Sequence, residues 1–169
     1  MPLFLPSYRF TSVLDLTADR LQKMQIDALL LDVDCTLKTF RSDELEPQIF
    51  LWLALKKADG VGLCLVSNGS DKRIGIFSEM VGIPYVAPAF KPFPSGVRKA
   101  VRMMNFDPKR TALVGDQIFA DVMAANLAGI ASVLVTPFNP ELEPLYSRWK
   151  RPLERLVLRN HPVGVLQKE

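Results

Sequence analysis

The chain has 169 residues, of which 49% are hydrophobic and 23% are charged. A domain holds about 150 residues, so this length predicts one domain whose core is large enough to be stable without disulfides or a structural metal. The composition excludes intrinsic disorder, and no apolar stretch reaches the ~18 residues that a membrane span needs. The apolar N-terminus is broken by Pro2 and Pro6 and lacks a basic leader, so no signal peptide is expected.

The net charge of +3 is small, but its distribution is uneven. Six basic residues and one acidic residue lie between Lys91 and Arg110, and six basic and two acidic residues lie from Arg148 to the end, so the rest of the chain is acidic. Each basic run is either a solvated helix face or a surface that attracts an anionic partner. The first run is expected to draw an anionic substrate toward a site, and the second to contact an anionic membrane.

Cysteine and histidine usage limits the chemistry. Cys35 and Cys64 lie in apolar runs without a C-x-x-C spacing, which is typical of a reduced, cytoplasmic compartment. The one histidine, His161, argues against histidine-based zinc sites and against serine–histidine hydrolysis.

The predicted elements begin with a helix from Thr17 to about Met24, because Thr17 is a good N-cap residue. Ala28 to Leu31 is a continuous apolar run that stops at Asp32, as in a strand buried on both faces. Pro47 opens a second helix, whose apolar stripe places Trp52 in the core. Val61 to Val66 is a second buried strand, in which Cys64 is a packed hydrophobe.

The alternation continues to the end of the chain. The next elements are a helix from Asp71 capped by Ser70 and closed by Gly82, a strand from Ile83 to Ala87, a helix from Ser95 to Met104, a strand from Thr111 to Val114, a helix from Phe119 to Leu127 closed by Gly129, a strand from Ala131 to Val135 and a final helix between Leu153 and Leu158. This order predicts a three-layer α/β/α, Rossmann-like parallel sheet. One domain over 1–169 is expected, with its core at about 26–136, an N-terminal helix segment at 1–25 and a basic C-terminal segment at 148–169.

Polar side chains follow the predicted strands, where α/β sheets bind their ligands. They are Asp32, Asp34 and Thr36 after the first strand, Ser67 and Asn68 after the second, Lys91 beyond the third, and Gly115 and Asp116, with Asp121 further on, after the fourth. A single aspartate after a strand is more often a turn or helix cap. Four strand ends together indicate a site.

Three carboxylates that meet at a sheet edge need a cation, because like charges at short range cannot all stay ionised. Oxygen ligands without histidine favour Mg²⁺, which keeps several waters and shares a substrate phosphate. An aspartate can then act as a nucleophile, and a second carboxylate can act as general acid and base.

In this order the residues resemble the four motifs of the haloacid dehalogenase (HAD) superfamily of phosphatases: D-x-D-x-T at Asp32, Asp34 and Thr36, then Ser67, then Lys91, then G-D-x-x-x-x-D from Gly115 to Asp121. The resemblance implies that Asp32 is the nucleophile and a metal ligand, and that Asp34 is the acid/base and a ligand through its backbone carbonyl. It implies Mg²⁺ binding by Asp116 and a supporting position for Asp121 behind the ligands. Thr36, which orients the loop, is grouped with Ser67, Asn68 and Lys91 on the phosphate side. Aspartate at position 34 favours phosphate ester hydrolysis over dehalogenation.

The spacing leaves no room for an inserted cap domain, so the site is expected to be open and its substrate large enough to cover it. The stretch from Gly115 to Val122, with Lys91-Pro92, is similar to the capless (subfamily III) YqeG-type branch. That branch includes phosphatidylglycerophosphate phosphatases, which implies an anionic phospholipid substrate and peripheral membrane contact. One departure is Cys35, where the branch usually carries Asn.

Two alternatives stay open beside the lipid interpretation. The first is a soluble phosphatase of a small phosphorylated metabolite. The second is a non-catalytic, receiver-like module that binds a phosphoryl group, although the predicted third strand ends in Ala87-Pro88 without an aspartate. A nucleic-acid substrate is not expected, because no patch of arginine and aromatic residues is evident. The aromatic residues of the N-terminus (Phe4, Tyr8 and Phe10) either touch lipid or cover the sheet edge.

Overall fold

The computed structural model describes residues 3–40, 42–139 and 151–158, and a sheet of six parallel strands lies at its centre. The strands are β1 (Tyr8–Arg9), β2 (Ala28–Leu31), β3 (Gly62–Val66), β4 (Tyr85–Val86), β5 (Thr111–Gly115) and β6 (Ala131–Leu134). Their order across the sheet is β1-β6-β5-β2-β3-β4. The predicted parallel sheet is therefore confirmed.

Helices cover both faces of this sheet. They are α1 (Ala18–Lys23), α2 (Pro47–Ala58), α3 (Asp71–Val81), α4 (Ser95–Met103), α5 (Met123–Ala128) and α6 (Arg151–Val157), with single 3₁₀ turns at Val13–Asp15 and Pro108–Arg110. The buried residues of α1, α2 and α3 share one core cluster, and those of α4 and α5 share another. This is the predicted three-layer α/β/α arrangement. Among the described residues, no helix has the length and apolar character to cross a membrane.

The strand β2 shows why an uninterrupted apolar run forms the middle of this fold. Leu29 and Leu31 pack into the core under α1 to α3, and Leu30 packs into the core under α4 and α5. All three have no exposed surface. Successive strand side chains point to opposite faces, so a strand covered on both faces needs apolar residues at every position. Burial of each side chain contributes about 1.5–3 kcal/mol.

The helix boundaries follow the predicted caps with two differences. Gly82 and Gly129 end α3 and α5 in the left-handed conformation, with φ of 61° and 82°. Ser70 occupies the N-cap position of α3, but its side chain makes no capping hydrogen bond. The helix predicted from Phe119 to Leu127 is split, because a π-helical turn at Ile118–Val122 precedes α5.

The N-terminal segment contains a strand that the sequence did not indicate. Residues of β1 pair in parallel with β6, with Tyr8 opposite Val133. Phe10 is buried, and its N–H donates to the Leu134 carbonyl at 2.9 Å. Asn126 donates from Nδ2 to two carbonyls of the segment just before β1. The segment therefore holds a strand in addition to the predicted helix, which is present as α1 with Thr17 as its N-cap, and Phe10 covers the sheet edge rather than facing lipid.

Candidate active site

The carboxyl ends of neighbouring strands bring the acidic motif residues together. Asp32 follows β2, and Asp116 follows β5, which pairs directly with β2. Asp32, Asp116 and Asp121 are all buried, and one carboxylate oxygen from each lies within 4.8 Å of the others. The sheet thus concentrates three negative charges at one edge.

Lys91 supplies positive charge inside this cluster. Its side chain is 2% exposed, and Nζ donates to Asp32 Oδ1 at 2.7 Å and to Asp121 Oδ1 at 2.6 Å. Burial opposes the charged ammonium, but the attraction of Asp121 and Asp32 outweighs it, so the pKa of Lys91 is raised. Lys91 is therefore a protonated donor between two carboxylates.

The backbone of Lys91 is held by the side-chain amide of Asn68. Asn68 Nδ2 donates to the Lys91 carbonyl at 2.8 Å, and Asn68 Oδ1 accepts from the Lys91 N–H at 2.7 Å. On the other side of the same loop, a Cβ on Gly96 would lie 2.3 Å from the carbonyl oxygen of Ala89. Only glycine lets the first turn of α4 approach this loop so closely. The side chain of Asn68 thus positions the backbone of Lys91.

Asp32 feels the surplus of negative charge in the site. The pKa of Asp32 is raised to about 7, because burial and the carboxylate of Asp121 raise it by more than the charge of Lys91 lowers it. Three buried carboxylates face one buried ammonium, and a cation would relieve the imbalance. The donors are all oxygens, which is the ligand set that Mg²⁺ prefers.

Thr36 lies inside a tight loop between Asp32 and Asp116. Its hydroxyl is 3.4 Å from Asp32 Oδ2 and 3.3 Å from Asp116 Oδ1. The loop turns sharply at Cys35, whose φ is 62° and whose N–H donates to the Lys38 carbonyl at 2.8 Å. The contacts of Thr36 with both carboxylates orient them toward each other.

Ser67 directly follows β3, which lies on the other side of β2 from β5. It is buried, and its Oγ accepts from the Gly69 N–H at 3.1 Å. The Ala89 N–H donates to the Ser67 carbonyl at 2.8 Å, which fixes Ser67 against the loop that carries Lys91. A hydroxyl that accepts one hydrogen bond still has its own hydrogen to donate.

Asp121 is fixed by donors on both of its oxygens. Oδ1 accepts from Lys91, and Oδ2 accepts from the Gln117 N–H at 3.0 Å. A Cβ on Gly115 would lie 2.1 Å from Asp121 Cγ, so only glycine at this position leaves space for the carboxyl group. Asp121 thus supports Lys91 and the loop after β5.

The arrangement of these residues agrees with the known proteins to which the chain is similar. Residues 89–137, which contain Lys91, Asp116 and Asp121, match the family model described as HAD-hydrolase-like. The chain is also 29% identical over 155 residues to the "Probable phosphatase YqeG" of Bacillus subtilis, over 92% of this chain and 90% of that protein. The chain is similar to HAD hydrolases. The predicted YqeG-type HAD phosphatase is confirmed, as is the predicted enzyme class.

Two solved structures share the fold of this phosphatase. The cobalt-bound deoxy-D-mannose-octulosonate 8-phosphate phosphatase from Haemophilus influenzae superposes with a TM-score of 0.52 at 14% identity, over 82% of this chain and 91% of that chain. A putative HAD family hydrolase from Streptomyces avermitilis gives a TM-score of 0.50 at 18% identity, over 70% and 80% of the two chains. At these identities the similarity establishes the fold alone.

Asp34, the second aspartate of the first HAD motif, faces an arginine that sequence reasoning missed. Arg73 Nη1 and Nη2 donate to the two carboxylate oxygens of Asp34 at 2.9 and 2.6 Å. Arg73 lies in the first turn of α3, shortly after Ser67 and Asn68. In the sequence it is one of several charged residues on a helix, and only this position after the second motif could have drawn attention to it.

A second missed residue belongs to the basic C-terminal segment. Glu154 of α6 is buried, and its Oε1 accepts from the Ile118 N–H at 2.8 Å. Ile118 begins the π-helical turn that follows Asp116 and contains Asp121. In the sequence, the feature that could have singled out Glu154 is its negative charge within the basic run that begins at Arg148.

The basic run from Lys91 to Arg110 does not gather at this site, contrary to expectation. Lys109 and Arg110 precede β5, so they lie at the opposite edge of the sheet, where Arg110 pairs with Asp27. Arg98 donates to the Leu127 carbonyl at 2.7 Å, on the face covered by α4 and α5. The basic residues of this run are spread along α4 and around the sheet, so they form no continuous positive surface that leads to the site. The prediction that the second basic run contacts a membrane rests largely on residues 148–150 and 159–169, which lie outside the described residues.

Proposed function

We propose that this HAD phosphatase is a Mg²⁺-dependent phosphomonoester hydrolase that works through an aspartyl-phosphate on Asp32. The observation that carries the proposal is the buried cluster of Asp32, Asp116 and Asp121, in which Lys91 binds both Asp32 and Asp121. An aspartate at the end of a central strand, with a lysine held against it, is suited to attack a phosphoryl group whose charge is neutralised nearby.

The carboxylates of Asp32 and Asp116 and the backbone carbonyl of Asp34 would hold the metal ion. The surplus negative charge and the all-oxygen donors fit Mg²⁺. When bound, the ion supplies positive charge to the phosphoryl oxygens and to the carboxylates. Asp121 stays behind the ligands, since both of its oxygens already accept from protein donors.

The remaining residues take roles that follow from their contacts. Asp32 attacks phosphorus while the bond to the ester oxygen breaks, and Asp34 donates a proton to that leaving oxygen. Asp34 then removes a proton from the water that attacks the aspartyl-phosphate, which releases inorganic phosphate and restores Asp32. The Ser67 hydroxyl, the Asn68 N–H and the Lys91 ammonium bind the phosphoryl oxygens, and Thr36 orients Asp32 and Asp116.

Phosphatidylglycerophosphate is the substrate we propose, with peripheral membrane contact. Besides the YqeG-type resemblance, two side chains next to the site support a lipid. Phe90 and Phe93 flank Lys91 and are 64% and 68% exposed. Exposed large aromatic side chains beside an uncapped site provide apolar contact for a lipid surface.

The strand order argues against the receiver-like alternative. Counted from β2, the five strands lie in the order 3-2-1-4-5, with β1 added beyond the last. Receiver domains have the order 2-1-3-4-5. A phosphoryl-binding receiver therefore does not fit this sheet, and the proposed enzyme remains a hydrolase.

Release of inorganic phosphate tests both levels of the proposal. The protein is assayed with Mg²⁺ or EDTA against an aryl phosphate, phosphatidylglycerophosphate in mixed micelles, and a panel of sugar phosphates and nucleotides. We expect Mg²⁺-dependent turnover that is lost in Asp32→Asn and kept in Asp19→Asn, a surface aspartate paired with Lys23. Undiminished turnover by Asp32→Asn contradicts the nucleophile, and a sugar phosphate or nucleotide that outperforms the lipid contradicts the lipid substrate.

A further inference from the structure

The side chain of Arg73 lies between the two parts of the site that handle the phosphoryl group and the leaving oxygen. A Cβ on Gly69 would lie 2.3 Å from Arg73 Nη2, so the guanidinium packs directly on the turn that follows Ser67. The same guanidinium holds both oxygens of Asp34. Arg73 therefore lies next to the position of the leaving group in the proposed mechanism.

The guanidinium has donors to spare. It carries five N–H groups, and in the part of the chain that the structure describes its hydrogen bonds go to Asp34 alone. The Arg73 side chain is 27% exposed, so it is reached from the open edge of the sheet. An arginine fork of this kind suits carboxylate and phosphate oxygens.

Lys38 adds a second positive charge to the same corner. It is buried, and its ammonium lies 5.0 Å from the centre of the Phe77 ring. The backbones of Lys38 and Asp34 form an isolated β-bridge, which places Lys38 near the Asp34–Arg73 pair. Burial lowers the pKa of Lys38, the charge of Asp34 raises it and the charge of Arg73 lowers it. Asp43 also acts on both cations, from an exposed position.

From these contacts we infer that Arg73 is a specificity residue, which binds a second anionic group on the leaving alcohol of the substrate. This inference rests on the proposed hydrolysis. To reach the leaving oxygen, Asp34 has to turn away from Arg73, which deprives a partly buried guanidinium of its partner. A carboxylate or phosphodiester on the leaving group takes the place of Asp34 at that moment. Substrates with a neutral leaving alcohol leave the arginine unpaired.

Two phosphomonoesters that differ in one group test this inference. Glycerol 3-phosphate carries a neutral CH₂OH where 3-phosphoglycerate carries a carboxylate. We measure kcat/KM for both with the wild type, Arg73→Gln, Arg73→Lys and Lys72→Gln. Lys72 is the exposed neighbour of Arg73, so its replacement removes the same charge one residue away. An aryl phosphate serves as the general substrate.

We expect the wild type and Lys72→Gln to prefer the charged ester by about tenfold or more, the size of one charge-assisted hydrogen bond. Arg73→Gln loses this preference and Arg73→Lys keeps part of it. Because loss of the Asp34 contact slows both substrates alike, only the ratio reports recognition. An unchanged ratio in Arg73→Gln, or no preference in the wild type, overturns the inference while the proposed function stands. Failure of the wild type on all three esters defeats the proposed function itself.

Discussion

Lys91 Nζ lies 2.6 Å from Asp121 Oδ1, which makes Asp121 a direct partner of the lysine that binds the proposed nucleophile. The resemblance to HAD phosphatases suggested a supporting position for Asp121, and the contact shows what it supports. Lys91 is held from two sides, by Asp121 and by Asp32. If one of these two carboxylates is lost, the Lys91 ammonium can shift toward the other.

We expect Asp121→Asn to lower kcat by about tenfold to a hundredfold, the range seen when groups behind metal ligands are removed. The amide keeps an oxygen for the Gln117 N–H but does not attract Lys91 as a carboxylate does. Phosphate release at saturating Mg²⁺ measures the effect. Asp32→Asn, measured beside it, is expected to have no turnover above background, and equal losses in the two variants would place Asp121 among the essential groups.

The raised pKa of Asp32 makes a prediction about stability in the presence of EDTA. The carboxyl group titrates at about 7 in the folded protein and near 3.8 in the unfolded chain. Between these values the folded state holds a proton that the unfolded state has lost, so stability falls as pH rises from about 4 to about 7. Asp32→Asn removes this loss and is expected to melt at least about 3 °C above the wild type at pH 8, with a smaller difference at pH 5.

Thermal unfolding at the two pH values, with EDTA and with excess Mg²⁺, measures this difference. A ligand that binds only the folded state raises its stability, so Mg²⁺ should raise the melting temperature of the wild type more than that of the variant. Equal melting temperatures of the two proteins at pH 8 with EDTA would contradict the prediction, because they would show that positive charge in the chain already compensates the cost of burying the ionised Asp32.

The left-handed backbone at Cys35 favours asparagine at this position. Its φ of 62° lies in a region that asparagine adopts more readily than other residues with a side chain. We expect Cys35→Asn to raise the free energy of unfolding by part of the roughly 1–2 kcal/mol that the left-handed conformation costs most residues with a side chain. Denaturant titration measures the change. Cys64→Asn is the matched comparison: both cysteines are buried, but Cys64 lies in the strand β3, where the backbone gives asparagine no advantage, so its replacement should destabilise the protein. A loss of stability in Cys35→Asn contradicts this explanation.

The sequence predicted most of the sheet and the gathering of the motif residues, because both depend on local signals. Apolar runs such as Ala28–Leu31 are buried on both faces, and the polar residues that follow them lie at one sheet edge. The strand β1 escaped prediction because its two residues gain their structure from pairing with β6. Arg73 and Glu154 escaped because their partners lie 39 and 36 residues away, so no spacing connects them.

The contact of Glu154 with the loop after Asp116 gives the C-terminal helix a testable part in the site. Glu154→Ala leaves the buried Ile118 N–H without its acceptor, which costs about 1–3 kcal/mol, whereas Glu154→Gln keeps an oxygen there. We expect the alanine variant to melt about 2–10 °C lower and to need more Mg²⁺ for half-maximal phosphate release, because the loop that carries Asp116 and Asp121 loosens. The glutamine variant should stay near the wild type in both measurements. If Mg²⁺ dependence is unchanged in Glu154→Ala although the protein melts earlier, the helix stabilises the fold without positioning the metal ligands.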